Sequence, residues 1–359
     1  MNAARPASKV GLIGYGYAGY TFHAPLIRAT DGLQLAAVAS SDPQKVHAAL
    51  GLDFAVMAAA ELIRCDDLDL VVIATPNDLH HPLALAALRA GRHVVIDKPF
   101  ALDAAQAEEL VAEAERGGRL LSVFHNRRWD GDFLTLQQVL ADGRVGRPVE
   151  LVSHFDRYRP KVRARWREGT GPGAGLWLDL GPHLVDQALV LFGPPAAIAL
   201  DQARVRDGAL ADDWFHAQLR WTQGPLAGLR VQLHASALAA RPGARFTLHG
   251  TRGSFTVDGL DPQEDALKAG ADPARIAAAD WGRDERRATF WPGDAATHRA
   301  EVVPLANGRY PRYYAGMLRA MRGEAEAPVT ARQALAVQRV LDAGRESARR
   351  RCEQALKLD

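Results

Sequence analysis

Hydrophobic positions along this chain fall into two regimes. Up to residue 126 they come as short unbroken runs: residues 10–13, "LQLAAVA" ending near Ala39, "LDLVVIA", "HVVI" and "LLSVF". Between these runs lie segments whose apolar residues recur every three or four positions. A strand with no polar alternation is buried on both faces, and helices between such strands cover both sides of a parallel sheet. Residues 1–126 are therefore read as a doubly wound α/β (Rossmann) domain. After Arg128 the period drops to two. "PVELVSHFDRY", "FHAQLRW", "LRVQLHASAL", "ARFTLHGT" and "GSFTVDG" alternate apolar with polar residues, as one-sided antiparallel strands do, and the glycine-containing links "TQGPLAG" and "GTRG" fit hairpins. Residues 127–359 are read as a second, α+β domain with a mostly antiparallel sheet, closed by an amphipathic helix at about 329–350. Residues from about 260 to 300 read as a long loop with short helical pieces, and no internal repeat is visible.

One helix of the second half breaks its own rules. In "GLWLDLGPHLVDQAL" (175–189), Leu176, Leu180, Leu184, Val185 and Leu189 form an apolar stripe, yet Gly181 and Pro182 sit inside it. A proline costs a helix interior about 3 kcal/mol. Asp179 and His183, four apart, share a face, and Asp186 follows three residues later. Departures of this kind concentrate where strain positions functional side chains.

The first half carries the matching chemistry at its strand ends. Gly14-Tyr15-Gly16-Tyr17-Ala18-Gly19 is a G-x-G-x-x-G turn directly after a strand and opening a helix, which is the context a dinucleotide pyrophosphate requires. Ligands of such sheets bind beyond the carboxyl ends of the strands. There stand Ser40 and Ser41, then Thr75-Pro76-Asn77 with His80 and His81 beyond, Asp97-Lys98-Pro99, and His125-Asn126-Arg127. The end of the second strand holds two serines, with Asp42 slightly late and Lys45 beyond. Hydroxyls and an ammonium suit a ribose 2′-phosphate better than a carboxylate would, which points to NADP, with NAD the alternative; the same Ser-Ser-Asp-Pro also reads as a turn and helix cap.

Composition narrows the setting. The chain has 359 residues, 48% hydrophobic and 24% charged, with a net charge of +2, the balance of a globular protein with no electrostatic case for nucleic acid or an acidic membrane. Cys65 and Cys352 make no disulfide framework, and the N-terminus lacks an apolar signal core, so a cytoplasmic location is expected. Lysine is scarce (Lys9, Lys45, Lys98, Lys161, Lys268 and Lys357) among many arginines, which draws attention to Lys98, because a desolvated ammonium shifts its pKa and a guanidinium does not.

The glycine turn, Asp97-Lys98-Pro99 and Asp179-Leu180-Gly181-Pro182-His183 together resemble the glucose–fructose oxidoreductase / inositol dehydrogenase / rhizopine-catabolism (Gfo/Idh/MocA) family. Its pattern is a Rossmann turn, a Glu-Lys-Pro after a later strand and a D-x-G-x-H in the second domain. "FHAPLI", "TPNDLHHP", "SVFHNRRWDGDFLTL", "HFDRYRP" and "GLDPQEDALKAG" extend the resemblance over nearly the whole chain, toward a branch of NADP-dependent scyllo-inositol dehydrogenases that tolerates Asp97 in place of Glu. The resemblance implies an open-faced second sheet whose exposed side mediates oligomerisation, hence a homodimer or homotetramer.

The reaction expected is reversible hydride transfer between a secondary alcohol of a polyol or sugar and the nicotinamide. His183 is the candidate acid/base, since an imidazole titrates near working pH. Lys98 supplies positive charge for the developing alkoxide and holds the cofactor, and Asp179 orients a substrate hydroxyl and raises the basicity of the imidazole. Gly14, Tyr15, Gly16, Gly19, Ser40, Ser41, Lys45, Thr75, Pro76, Asn77, His80 and Asp97 are assigned to the cofactor, and Asn126, Arg127, Arg157, Tyr158 and Trp166 to the substrate. Asp186 is read as a structural partner of its helix. No metal is expected in the reaction. Two rivals remain: a metal-dependent enzyme built on His183, Asp179, Asp186 and His154 or His125, which activity surviving chelation removes, and a non-catalytic NADP sensor of the same fold, which tight cofactor binding without turnover would favour.

Overall fold

A computed structural model describes residues 6–293 and 299–358. The chain divides into two compact units, one of residues 1–126, 262–281 and 309–335, the other of residues 127–261, 282–308 and 336–359.

The first unit is the doubly wound domain. Strands β1 (Ser8–Ile13), β2 (Leu33–Ala39), β3 (Val56–Met57), β4 (Leu70–Ile73), β5 (His93–Ile96) and β6 (Leu121–Val123) lie in the order β3-β2-β1-β4-β5-β6, every neighbouring pair parallel. Val71, Val72, Ile73, Val94, Val95 and Ile96 are all fully buried, which is why these strands read as unbroken apolar runs. Between them run α1 (Ala24–Arg28), α2 (Pro43–Leu50), α3 (Ala59–Arg64), α4 (His80–Arg89) and α5 (Ala104–Gly117). Strand order reverses between β1 and β4, the switch point at which ligands enter such sheets.

The second unit holds α6 (Gly131–Ala141), α7 (Leu176–Phe192) and a sheet of β7 (Pro148–His154), β8 (Ala197–Ala203), β9 (Trp214–Arg220), β10 (Arg230–Ser236), β11 (Phe246–Gly250), β12 (Gly253–Val257), β13 (Arg287–Pro292), β14 (Glu301–Pro304) and β15 (Gln354–Ala355). Among the described residues the strands order as β14-β13-β12-β11-β7-β10-β9-β8-β15, with only β7 and β10 paired parallel. Period two appears directly as burial: Val231, Leu233, Ala217 and Leu219 are fully buried, and the residues between them are half-exposed.

Three helices bring the chain back to the first unit: α8 (Gln263–Lys268), α9 (Pro273–Ala277) and α10 (Pro311–Met321), packed beside α1 and the turn before it. The short helical pieces expected between about 260 and 300 are α8 and α9, but the long loop is corrected by two strands, β13 and β14. Residues 263–277 are largely helical, β13, paired on both sides, buries Ala288 and Phe290 at alternate positions, and β14 is the edge strand; residues 294–298 lie outside the described residues. The last helix, α11 (Ala331–Arg350), is the amphipathic C-terminal segment, and its basic end is tied back as Arg349 and Arg350 pair with Glu346. No helix among the described residues is long and apolar enough to cross a membrane.

α7 runs unbroken through Pro182, and the reason for Gly181 is packing. A Cβ on Gly181 would lie 2.8 Å from the Trp177 ring one turn earlier, and a Cβ on Gly344 would lie 2.8 Å from the same ring. The indole therefore occupies a slot between two glycines. It donates from Nε1 to the Leu341 carbonyl at 3.1 Å and meets Phe215 edge-on at 5.0 Å, so it has nowhere to retreat. Gly181→Ala is expected to destabilise the second unit by about 1–3 kcal/mol, the usual cost of overpacking. Urea unfolding followed by tryptophan fluorescence measures this, and an unchanged midpoint would refute the packing account.

Candidate active site

The nucleotide turn is built by backbone geometry. Gly14 sits at φ +97°, where a Cβ would press on the Ala74 carbonyl oxygen at 2.5 Å, and a Cβ on Gly19 would stand 2.0 Å from the Gly14 oxygen. Nothing lies within 4 Å of the Cβ direction of Gly16, so the face where a pyrophosphate would approach is open. The helix that follows begins at Tyr17 and passes through a π-helical turn, Gly19–His23, before continuing as α1. The Tyr17 hydroxyl donates to Glu264 Oε1 at 2.8 Å, so α8 steadies the turn. Tyr15 is buried and packs edge-on against Tyr20 at 5.7 Å.

At the end of β2 the acid is already engaged. Asp42 caps α2, accepting from the Lys45 backbone N–H at 3.0 Å, while Ser40 Oγ accepts from the Asp42 N–H at 3.0 Å. Ser41 is exposed, and the Lys45 ammonium lies over the Tyr20 ring at 5.2 Å. The turn-and-cap reading of Ser-Ser-Asp-Pro is seen directly, with the Ser41 side chain exposed and the Lys45 ammonium nearby.

Beyond β4 and β5 the loops are clamped together. His80 is fully buried, with Nδ1 2.8 Å from the Pro99 carbonyl oxygen and Nε2 3.1 Å from that of Thr75. It ties the Thr75-Pro76-Asn77 loop to the Lys98-Pro99 turn, so its contribution to the site is that of a positioning residue. His81 points elsewhere and binds Glu109 at 2.8 Å. Asn77 is buried, Thr75 half-buried and Pro76 exposed; Lys98, half-buried, precedes a cis proline. Asp97 is 5% exposed, and its Oδ1 lies 3.7 Å from His23 Nε2. His23 Nδ1 is 2.6 Å from the Tyr314 hydroxyl, and burial above all raises Tyr314 well beyond its ordinary pKa, so the phenol stays protonated. The sequence reading missed His23. Its signal was the proline two residues on in "FHAPLI", but the π-turn that aims the imidazole at Asp97 has no sequence mark. His125 and Asn126, at the end of β6, are both buried.

In the second unit the polar groups gather on the Phe155 ring. The guanidinium carbons of Arg127, Arg157 and Arg245 lie 4.7, 4.9 and 5.5 Å from its centroid, and the His183 ring lies nearly parallel to it at 6.5 Å. His183 is 6% exposed. Arg245 is wholly buried, which pushes its pKa down to about 10; it donates to Ser153 Oγ and Gln187 Oε1, both at 2.6 Å. Arg127 forms an ion pair with Asp130 at 3.2 Å, and Arg128 grips Asp186 with both Nε and Nη2, at 2.9 and 2.7 Å. Asp186 thus serves as a structural partner. Tyr158 is 60% exposed, and Trp166 carries the Arg167 guanidinium over its ring at 4.4 Å.

Arg157, Arg159, Arg165 and Arg167 line one pocket together with Asp179. Arg167 Nε approaches Asp179 Oδ1 at 3.4 Å, and Arg165 pairs with Glu168 at 2.6 Å. Arg206 bridges Glu168 and Asp213 at 2.9 and 2.8 Å, all three side chains under 8% exposed. Burial pulls Arg206 down in pKa, but the bonds to Asp213 and Glu168 outweigh it and leave it raised. Arg159 goes the other way, to about 10, through burial first and the charges of Arg157, Arg163 and Arg165 next. A guanidinium has five donors and no acceptor, so this wall presents hydrogen-bond donors beside the Asp179 acceptor.

Two family profiles cover the chain: "Oxidoreductase family, NAD-binding Rossmann fold" over residues 8–125 and "Oxidoreductase family, C-terminal alpha/beta domain" over residues 137–355, both of the Gfo/Idh/MocA group. The Escherichia coli protein YdgJ, an uncharacterised oxidoreductase, is 49% identical over 97% of this chain and 98% of its own. The Bacillus subtilis NADP+ scyllo-inositol 2-dehydrogenase IolW is 35% identical over 95% of this chain and 94% of its own. A solved structure of a candidate oxidoreductase from Yersinia pestis superposes with a TM-score of 0.92, at 46% identity and full coverage of both chains.

Removing the Arg206 bridge leaves two buried carboxylates short of their cation. Arg206→Met is expected to cost roughly 3 kcal/mol, the low end for breaking a buried ion pair, because Asp213 and Glu168 keep other donors. A chemical denaturation curve at neutral pH reads this, and a loss below about 1 kcal/mol would show the bridge to be dispensable.

Proposed function

The chain belongs to the Gfo/Idh/MocA oxidoreductase family, and on that premise we propose that it is an NADP-dependent dehydrogenase acting on a secondary alcohol of a cyclic polyol or sugar. The observation that carries the reading is Asp179 and His183 set one turn apart on α7, with Asp179 in a pocket walled by arginine donors. The family membership and the NADP+-dependent inositol dehydrogenase among the relatives support it.

The turn fits a dinucleotide: Gly14 and Gly19 allow the close backbone approach, the space above Gly16 is open, and the cation and hydroxyls after β2 suit a 2′-phosphate. When bound, the nicotinamide supplies the hydride acceptor at C4. The chain's own residues supply the rest. The His183 imidazole takes the hydroxyl proton as the carbinol is oxidised and returns it in the reverse direction. The Lys98 ammonium stabilises the negative charge growing on that oxygen, and preorganised charge of this kind contributes about 3 kcal/mol. Asp179 accepts from a substrate hydroxyl and favours the protonated imidazole. Arg157 and Arg159 donate to hydroxyls away from the reacting carbon, and Tyr158 and Trp166 offer faces for the ring. Asn126 and Arg127 act from behind, Arg127 through its hold on Asp130 and Phe155. Self-association into a homodimer or homotetramer through the half-exposed face of the nine-stranded sheet completes the proposal.

A panel of inositols and aldoses run with NAD and NADP in parallel tests the function. NADP-dependent turnover of at least one cyclic polyol or sugar is expected, and tight cofactor binding with no turnover on any of them would overturn it. His183→Ala and Lys98→Ala should each lower kcat/KM at least about a hundredfold. Cofactor affinity should survive the histidine change, and wild-type rates in His183→Ala would remove that residue from the chemistry. Lys45→Ala should weaken NADP by roughly tenfold and leave NAD nearly unchanged, as loss of one charge-assisted contact predicts; equal effects on both nucleotides would place the 2′-phosphate elsewhere.

A further inference from the structure

The second sheet carries a row of imidazoles. Cross-strand pairing sets His154 opposite His234, His234 opposite His216, and His216 opposite Asp201, across β7, β10, β9 and β8. Directly paired residues share a face, and here it is the face away from the buried Leu233 and Ala217. The His154 and His234 rings stand 5.0 Å apart, and Trp214 meets His234 edge-on at 5.5 Å, so the second imidazole is held on both sides. Two residues past His154 the chain places Asp156 between them. Its Oδ2 is 3.0 Å from His154 Nδ1, and its Oδ1 is 3.5 Å from His234 Nε2. The carboxylate is 4% exposed and fixed from behind by the N–H groups of Ser236 at 3.1 Å and Gly243 at 3.2 Å.

We propose that His154, Asp156 and His234 form a binding site for a divalent transition-metal ion of the zinc type, separate from the dehydrogenase chemistry. Among the described residues this is the group of three ligand-type side chains whose donor atoms all lie within 4.8 Å of one another. Around a tetrahedral zinc with bonds of 2.0–2.1 Å, ligand atoms stand about 3.3 Å apart. The two nitrogen–oxygen separations, 3.0 and 3.5 Å, run to the two oxygens of the one carboxylate and bracket that value, so side-chain rotation brings the three donors around one ion. Two imidazoles and one carboxylate favour zinc, cobalt or nickel over magnesium or calcium, which prefer all-oxygen shells. The backbone donors on Asp156 are the outer support that orients a ligating carboxylate. In the single chain His154 and His234 are 27% and 17% exposed, on the face assigned above to self-association, which leaves room for water at a fourth position before that face is covered. Binding exchanges the hydrogen bond between His154 and Asp156 for two metal bonds, and the proton between them passes to solvent.

The full chain, free of any affinity tag and stripped with chelator, is titrated with zinc by calorimetry and with cobalt by visible absorption. One equivalent with micromolar or tighter affinity, and the intense absorption of tetrahedral cobalt, is expected. His154→Ala and His234→Gln should each weaken zinc at least about tenfold, and His216→Ala should leave it unchanged. Circular dichroism confirms that the variants fold. No stoichiometric uptake by the unaltered chain, or full uptake by the His154→Ala, His234→Gln double variant, would overturn the site.

Discussion

The second unit depends on one close approach that only glycine permits. The Trp177 indole lies in a slot whose walls are the missing Cβ atoms of Gly181 and Gly344, so α7, α11 and the sheet meet at backbone distance. An alanine at either place would lever α7 away from α11. That would move Asp179 and His183 along with Gln187, whose amide bonds the Arg127 carbonyl at 2.9 Å and the Arg245 guanidinium. The buried stripe of α7 therefore fixes the rotation of its polar face. Gly181 in the D-x-G-x-H segment serves packing, and the exactness it gives the two side chains on either side is a consequence. Pro182 is a separate matter: it denies the Leu178 carbonyl its usual helical donor, and the helix continues through it regardless.

A similar economy operates at the end of β2. An acid there would ordinarily accept from a ribose hydroxyl. Asp42 is instead occupied by the α2 N-terminus, where a cap contributes about 1 kcal/mol and the positive end of the helix favours negative charge. With the carboxylate turned to the helix, the Lys45 ammonium lies over the Tyr20 ring nearby. The carboxylate at this strand end thus serves the fold of α2.

The parts of this architecture legible in the sequence were those encoded by short-range pattern. Unbroken apolar runs marked β1, β2, β4, β5 and β6, period two marked β7 and β9 to β12, and the glycine turn marked its own geometry. What stayed hidden was set by distant contacts. The helices α8 to α10 return to the first unit without any change of local pattern, because Tyr310 and Gln263 find each other, backbone N–H to side-chain oxygen at 2.8 Å, across 47 positions of chain. β13 alternates as "RATFWP", but its short length and arginine-rich approach disguised it. Phe155, the ring around which three arginines and His183 assemble, reads in sequence as one more inward strand residue. That His80 bridges the carbonyls of Thr75 and Pro99 has no mark in the sequence either.

The charge balance of the arginine-walled pocket bears on what it can hold. Arg157, Arg159, Arg165, Arg167 and Arg206 are five cations, and Glu168, Asp179, Asp212 and Asp213 line the same cavity as four carboxyl groups. Arg206 and Arg165 are spent on Glu168 and Asp213, and Arg167 leans on Asp179. Arg159 stands apart: burial and the charges of Arg157, Arg163 and Arg165 hold it at a lowered pKa, with Asp179 the one acid pulling the other way. A cavity built for an anion would leave several guanidinium groups uncompensated, because a phosphate or carboxylate takes bidentate pairs. Here three of the five, Arg165, Arg167 and Arg206, already lie against carboxylates, and the lining presents N–H donors beside carboxylate acceptors. Such a lining can both donate hydrogen bonds to a bound molecule and accept them from it.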